Sequence, residues 1–288
     1  MNNNLLSYEA SVNWLRSQPQ HSKLVEFCYL DKDNLAAANR FASSEEFAKI
    51  TKLLHMDNSQ KQLKILDLGC GNGIAAYSFA SLGHEVHAID PDLSEDVGLG
   101  ATKKLAQVVK NGSILTHQAF AEALPFEDAS FDVVYARQSL HHFTDLHKGL
   151  SECSRILKPK GLLLATREHV VSNNEQLKTF LDEHLLHKLH EGENAYPLED
   201  YLLAIEQSGI KILKLLAPFD TVINHFPLSN TDLKNSLVEG LTKKVGTLPT
   251  KLISKLPFID NIYRYYLSKN CNYPGRLYSF LGSKQETK

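Results

Sequence analysis

The chain has 288 residues, 43% of them hydrophobic and 22% charged, and a formal net charge of -2 at pH 7. That is an ordinary balance for a globular chain with a substantial core, and nothing global in it demands nucleic acid or a membrane as partner. Charge is uneven, however: from Thr221 onward there are ten Lys or Arg against four Asp or Glu, either a solvated helical surface or a dock for an anionic substrate or lipid. Cys28, Cys70, Cys153 and Cys271 are widely spaced with no CxxC, which points away from a zinc site or a disulfide framework. The N-terminus lacks signal-peptide features, and no apolar run reaches the ~18 residues of a spanning helix. A cytoplasmic protein is expected.

Residues 7–55 read as helical, with Ser43 or Ser44 capping "EEFAKITKLL". "LKILDLG" (63–69) is a short apolar strand, and "NGIAAYSFASLG" is the helix that follows, ended by Gly83. "EVHAID" (85–90) is a second strand, 94–109 a helix, and "NG" at 111–112 a turn. "SILTHQA" and "FDVVYARQ" (131–138) are the third and fourth strands. A helix over 145–157 leads through the turn "KPKG" into a fifth strand, "LLLATRE" (162–168). Strands alternating with helices imply a parallel sheet covered on both faces.

Beyond it, "EQLKTFLDEHLLHKLH" is one helix, "LEDYLLAIEQSG" another, and "IKILKLLA" a sixth strand. Residues 218–275 are mostly helical, and "GRLYSFLG" (275–282) is the last strand. A single domain over 1–288 is expected: an N-terminal helical cap (1–60), a ligand-binding core (61–217), a helical insertion on the substrate side (218–275), and the last strand and tail (276–288).

"LDLGCGNG" (66–73) carries the chemistry. Gly69, Gly71 and Gly73 permit positive φ and close approach of backbone to a ligand. The dinucleotide fingerprint GxGxxG needs glycine at 74, where Ile74 stands. Asp67 lies two residues before the first glycine, where it would repel a pyrophosphate and attract an ammonium group. Asp90 ends the second strand, in the position of an acid that accepts from ribose hydroxyls. A ligand with a ribose and an amino group but no phosphate fits S-adenosylmethionine.

The blocks "ILDLGCGNG", "AIDPD", "AEALPFEDASFDVVYARQSLHHF" and "RILKPKG" resemble the class I S-adenosylmethionine-dependent methyltransferases, in the branch shared by quinone, sterol and sugar methyltransferases. The resemblance covers about residues 63–168. It implies a Rossmann-like α/β fold: a seven-stranded, mostly parallel sheet in the order 3-2-1-4-5-7-6, with the last strand antiparallel. It further implies that Gly69, Gly71 and Gly73, with Cys70 among them, pass under the methionine and ribose. Asp67 would orient the amino group, Asp90 the ribose, and Pro91 would pack near the adenine. The family's usual acid after the third strand is replaced by Phe120. Phe120 is then either a core side chain or part of an adenine site built from stacking and from backbone near Phe120, Ala121 and Glu122. Arg137, and Arg40 of "NRF", are counted as further cofactor contacts.

Two groups sit where acceptor chemistry belongs. "RQSLHH" offers His141 and His142, one of them a general base if the acceptor is a hydroxyl; related sugar O-methyltransferases use a histidine of this segment. "REH" offers Arg167, Glu168 and His169. "GENAY" adds Glu193, Asn194 and Tyr196 as substrate contacts. His184, His187 and His190 in "HLLHKLH" drift off one helical face, so no metal is expected.

The resulting expectation is methyl transfer from S-adenosyl-L-methionine to a small molecule, foremost a hydroxyl of a sugar or similar metabolite. Carbon methylation of an isoprenoid quinone or lipid-like acceptor is the alternative, with peripheral membrane contact through 218–275. A nicotinamide-dependent oxidoreductase is disfavoured by Ile74 and Asp67, and a non-catalytic binding protein rests on Phe120 alone. The absence of the Pro-Pro-Tyr/Phe and Pro-Cys motifs after the fourth strand argues against nucleic acid as substrate.

Overall fold

A computed structural model describes residues 5–56 and 61–286. The N-terminal region holds four short helices, α1 (Tyr8–Arg16), α2 (Ser22–Phe27), α3 (Asn34–Ala42) and α4 (Glu45–Leu53). Polar caps restart the chain: Asp33 accepts from Ala36 N–H at the head of α3, and Ser44 from Phe47 N–H at the head of α4. Each cap satisfies a backbone donor that the first helical turn leaves free.

The core follows as β1 (Lys64–Leu68), α5 (Ile74–Ser81), β2 (Glu85–Ile89), α6 (Leu99–Val108), β3 (Ser113–His117), β4 (Phe131–Arg137), α7 (Leu146–Ile156) and β5 (Leu157–Val171). Then come α8 (Asn174–Glu183), α9 (Leu185–His190), β6 (Tyr196–Pro197), α10 (Leu198–Gln207) and β7 (Ile210–Leu216). Helices α11 (Val222–His225), α12 (Asn230–Val245), α13 (Thr247–Ile253) and α14 (Ile259–Lys269) precede β8 (Arg276–Lys284).

The sheet runs β3-β2-β1-β4-β5-β8-β7, with β8 antiparallel to both its neighbours. This is the expected order. The eighth strand is the two-residue β6, which pairs with Val170 and Val171 of β5. Side chains of β1 and β4 alternate between two cores. Ile65 and Tyr135 join Phe41, Phe47 and Phe79 on one face. Leu66 and Val134 join Leu150, Tyr201 and Phe280 on the other. The N-terminal helices are therefore part of the core, through a chain of tilted and edge-to-face aromatic contacts from Tyr29 to Tyr135.

Three expectations about elements are corrected. "KPKG" is a bulge inside β5, since register jumps from Phe131 opposite Leu157 to Val133 opposite Leu162. Lys160, at φ 65°, takes up the extra length. The expected single helix over 175–190 breaks at His184, whose extended ψ of 116° separates α8 from α9. The insertion 218–275 contributes no residue to the lining of the cavity described below: α11 packs on α4, β5 and β8, while α12 packs on α13 and α14.

Candidate active site

A cavity of about 390 Å³ opens at the C-terminal ends of β1, β2, β4 and β5, where open α/β sheets bind ligands. Gly69, Cys70, Gly71 and Asn72 form one wall. Gly69 and Gly71 sit at φ 68° and 49°, conformations that favour glycine. A Cβ on Gly69 would also collide with Ser139 Oγ. Gly73 lies behind the wall and starts α5 at φ 80°.

Asp67 lines the cavity but is only 2% exposed. Its Oδ2 has no hydrogen-bond partner. Burial pushes its pKa up to about 7, opposed by a backbone hydrogen bond from Ala76. A buried carboxylate oxygen without a donor is costly, and an ammonium group would supply both the donor and the charge. Asp90 ties the turn together: Oδ2 accepts from Gly71 N–H and Oδ1 from Asp92 N–H, both at 2.9 Å. Each oxygen keeps a lone pair for a hydroxyl. Pro91, Ala121 and Glu122 continue the lining. Phe120 is 65% exposed at the cavity rim, so the reading of it as a core side chain is corrected. Glu122 is engaged with the backbone N–H groups of Thr144 and Asp145 at the head of α7.

Three arginines are engaged by other protein groups. Arg40 bonds Asp31 at 2.6 Å and the Glu26 carbonyl and does not line the cavity, so its expected place over the cofactor is corrected. Arg137 lines the cavity, but its guanidinium is gripped by buried Glu46 at 2.9 and 3.3 Å. Arg167 donates to the carbonyls of Ile223 and Phe226 and so clamps α11.

The opposite wall is a histidine cluster. Arg167 sits at φ 61°, and register between β5 and β8 shifts between Ala165 and Glu168. A regular strand would send Glu168 and His169 to opposite faces. The shift precedes both residues, and both meet His141: Glu168 Oε2 lies 2.7 Å from Nδ1, and the His169 ring centroid is at 4.8 Å. Glu168 is fully buried and also accepts from the backbone N–H groups of Ser139 and His141. It positions the histidine and does not itself line the cavity.

Glu193, from the loop after α9, lies 3.7 Å from His141 Nε2, 3.9 Å from His142 Nε2 and 3.9 Å from His184 Nδ1. Burial lowers the His141 pKa, but the hydrogen bond to Glu168 and the nearby Glu193 carboxylate overcome it and hold the ring at about 9. Burial lowers His142, reinforced by the charge on His141, and drives His169 down to about 3. His142 Nδ1 faces the Gly192 carbonyl and His169 Nδ1 the Gly275 carbonyl, both at 3.0 Å. A carbonyl only accepts, so both rings carry the proton on Nδ1 and the lone pair on Nε2.

Of the other sequence candidates, Asn194 and Tyr196 do not line the cavity, and the Tyr196 hydroxyl donates to the Phe143 carbonyl. His184 does line it, while His187 and His190 do not. The sequence assigns the lid to the N-terminal helices as a region without naming residues; the roof is formed by Tyr8 of α1, Cys28 and Leu30, with Leu186 of α9, which no motif marks. Sequence reading missed Asn72, whose side chain donates to the Tyr29 carbonyl and ties the glycine turn to that roof.

The sequence matches the family described as "Methyltransferase domain" over residues 66–165. An uncharacterized methyltransferase YcgJ of Bacillus subtilis is 29% identical over 49% of this chain and 53% of its own length. Its crystal structure superposes with a TM-score of 0.51, covering 84% of this chain and all of that one at 20% identity. A ubiquinone biosynthesis O-methyltransferase of Rhizobium johnstonii is 27% identical over 58% of this chain and 66% of its own length. The O-methyltransferase rstn1 of Aspergillus nomiae is 31% identical over 57% of this chain and 71% of its own length. The chain belongs to the class I S-adenosylmethionine-dependent methyltransferase family. The matched segment spans between half and two thirds of the first two relatives. The family match over 66–165 takes in the glycine turn, Asp90 and the histidine pair, and stops short of α8 and the helical insertion.

Proposed function

We propose that the chain transfers a methyl group from S-adenosylmethionine to a hydroxyl of a small molecule in the cytoplasm. The observation that carries this is the unpartnered Asp67 oxygen beside the glycine turn, facing a cavity whose other wall is a histidine cluster. When bound, S-adenosylmethionine supplies a methyl group on a cationic sulfur, which keeps the bonding electron pair as the acceptor oxygen takes the methyl. Asp67 holds the amino group and Asp90 the ribose. Phe120 offers a face to the adenine in place of an acid. Tyr8, Leu30 and Leu186 exclude water. His142 takes the acceptor proton on Nε2, because its Nδ1–H is committed to the Gly192 carbonyl, and its half-exposed ring passes that proton to solvent.

Methyl-labelled S-adenosylmethionine, offered with a panel of sugars and quinol precursors, tests the reading. Label on oxygen of one panel member is expected; label on carbon alone would overturn the oxygen assignment. Asp67→Asn removes the charge that the ammonium group meets, an interaction of ~1.5–3 kcal/mol. S-adenosylmethionine binding should weaken by roughly 10- to 150-fold, and unchanged affinity would remove Asp67 from the site. Asp90→Ala should weaken it at least about tenfold, through two lost charge-assisted bonds.

A second reading for the acceptor, a lipid-tailed molecule, is favoured by the surface of α13 and α14. Leu248 and Leu252 share one face of α13 and are 76% and 74% exposed, with Phe258 and Tyr265 also open to solvent. Lys251, Lys255 and Lys269 flank them. Apolar side chains rimmed by lysines suit an anionic lipid surface. Flotation with phosphatidylglycerol vesicles should carry the chain upward, and the Leu248→Glu/Leu252→Glu double variant should stay behind. Equal behaviour of the two would remove this reading.

A further inference from the structure

The histidine cluster is built in a way that proton transfer alone does not explain. One nitrogen each of His141 and His169 and a carboxylate oxygen of Glu193 lie within 4.8 Å of one another. All three side chains line the cavity. Each histidine is also oriented from behind: His141 Nδ1 contacts buried Glu168 at 2.7 Å, and His169 Nδ1 contacts the Gly275 carbonyl at 3.0 Å. A ring that gives its remote N–H to a carboxylate or a carbonyl, and turns its other nitrogen to a shared point, has the outer support of a metal-ligating histidine.

We propose that His141 Nε2, His169 Nε2 and the Glu193 carboxylate bind one divalent first-row transition ion, Zn2+ or a chemical relative, in the acceptor half of the cavity. The donor set selects the ion: imidazole nitrogens suit zinc, iron and cobalt, whereas magnesium and calcium prefer all-oxygen sites. Bonds of about 2.0–2.2 Å require ligand atoms roughly 3.4 Å apart. The three ligand atoms, now within 4.8 Å of one another, therefore have to draw together by up to about 1.4 Å. The nearest approach of Glu193, 3.7 Å to His141 Nε2, is already close to that spacing. His184 stands beside the site, its Nδ1 3.9 Å from the other Glu193 oxygen and accepting the His187 N–H at the head of α9.

Three protein ligands leave coordination positions open, as catalytic sites do. In terms of the methyl-transfer reading, on which this use of the ion rests, the open positions take the oxygens of a vicinal diol or ortho-diphenol. The ion makes one hydroxyl more acidic. Its proton passes to Nε2 of His142, and the oxygen lone pair forms the new bond to the methyl carbon as the carbon–sulfur bond breaks toward sulfur. The acceptor class is thus narrowed from any hydroxyl to a chelating pair.

Cobalt absorption tests the site without any turnover. The full chain is stripped with a chelator and titrated with Co2+. One Co2+ per chain should bind, with visible bands that Zn2+ abolishes. Glu193→Ala and His169→Ala should each weaken Co2+ binding at least tenfold. Glu168→Gln, which removes only the outer support of His141, should weaken it ~10- to 100-fold. Should His169→Ala fail to fold, Glu193→Ala decides, because Glu193 lies in a loop outside the sheet. Absence of visible bands in the natural chain, or bands unchanged in Glu193→Ala, would overturn the metal site. Asp90→Ala should keep the bands while losing S-adenosylhomocysteine binding. A natural chain that binds Co2+ but not S-adenosylhomocysteine would sink the methyl-transfer reading and leave the metal site standing.

Discussion

His142→Ala is expected to lower kcat by ~10²- to 10⁴-fold, the range over which a positioned base contributes, while the dissociation constant for S-adenosylmethionine stays within a factor of two. Position and tautomer carry the argument. His142 lines the cavity, its Nδ1–H is spent on the Gly192 carbonyl, and its Nε2 lone pair is left to accept. His141 differs. Both its nitrogens face carboxylates, and its side chain is 1% exposed. His141→Ala should therefore lower kcat and also disturb the Ser139–His142 turn, because Glu168 loses its side-chain partner. Single-turnover kinetics on the two variants separates the roles. Chemistry in His142→Ala within threefold of the natural rate would remove it as the base.

Glu46→Ala is expected to destabilise the fold by ~3–5 kcal/mol, the effect of removing one partner of a buried ion pair. Glu46 is fully buried on α4, and both its oxygens meet Arg137. Arg137 packs against the rings of Tyr29 and Phe41 and has no second carboxylate within ion-pairing distance among the described residues. The substitution thus leaves a largely buried cation without its carboxylate and with the Gln138 amide oxygen as its remaining side-chain acceptor among the described residues, which is where the energy goes. Replacing both residues by leucine should restore most of the stability, since no charge is then left unpaired. Urea unfolding monitored by circular dichroism measures both variants. A loss under 1 kcal/mol for Glu46→Ala would mean that Arg137 finds water or another partner.

The sheet was legible because its strands are short apolar runs separated by glycine turns, and both faces of β1 and β4 are buried. The glycine turn was legible because positive φ at three alternating positions restricts the residue type. What lay beyond the motifs was harder to read. "HLLHKLH" reads as one helix whose histidines drift off a single face, but the break at His184 turns that side chain toward Glu193 while His190 bonds the Leu6 carbonyl. The convergence of His141, His169 and Glu193 depends on a bulge at Arg167 and on a loop after α9. Neither is written as a local pattern, because nothing in a linear string specifies a positive φ at arginine. The roof residues Tyr8, Cys28 and Leu30 belong to no motif, and they reach the cavity only because the N-terminal helices pack into the core. The expectation for residues 218–275 failed for a related reason. Basic, aromatic composition marks an exposed surface, and α13 and α14 place it away from the cavity.

The central claim is that this cavity holds S-adenosylmethionine, with Asp67 on its amino group. Calorimetric titration of the natural chain and of Asp67→Asn with S-adenosylmethionine, S-adenosylhomocysteine and NADH tests it most directly. Micromolar binding of the first two to the natural chain is expected, weakened by at least tenfold in Asp67→Asn, with no heat from NADH. Binding of NADH, or of neither adenosyl compound, would contradict the claim.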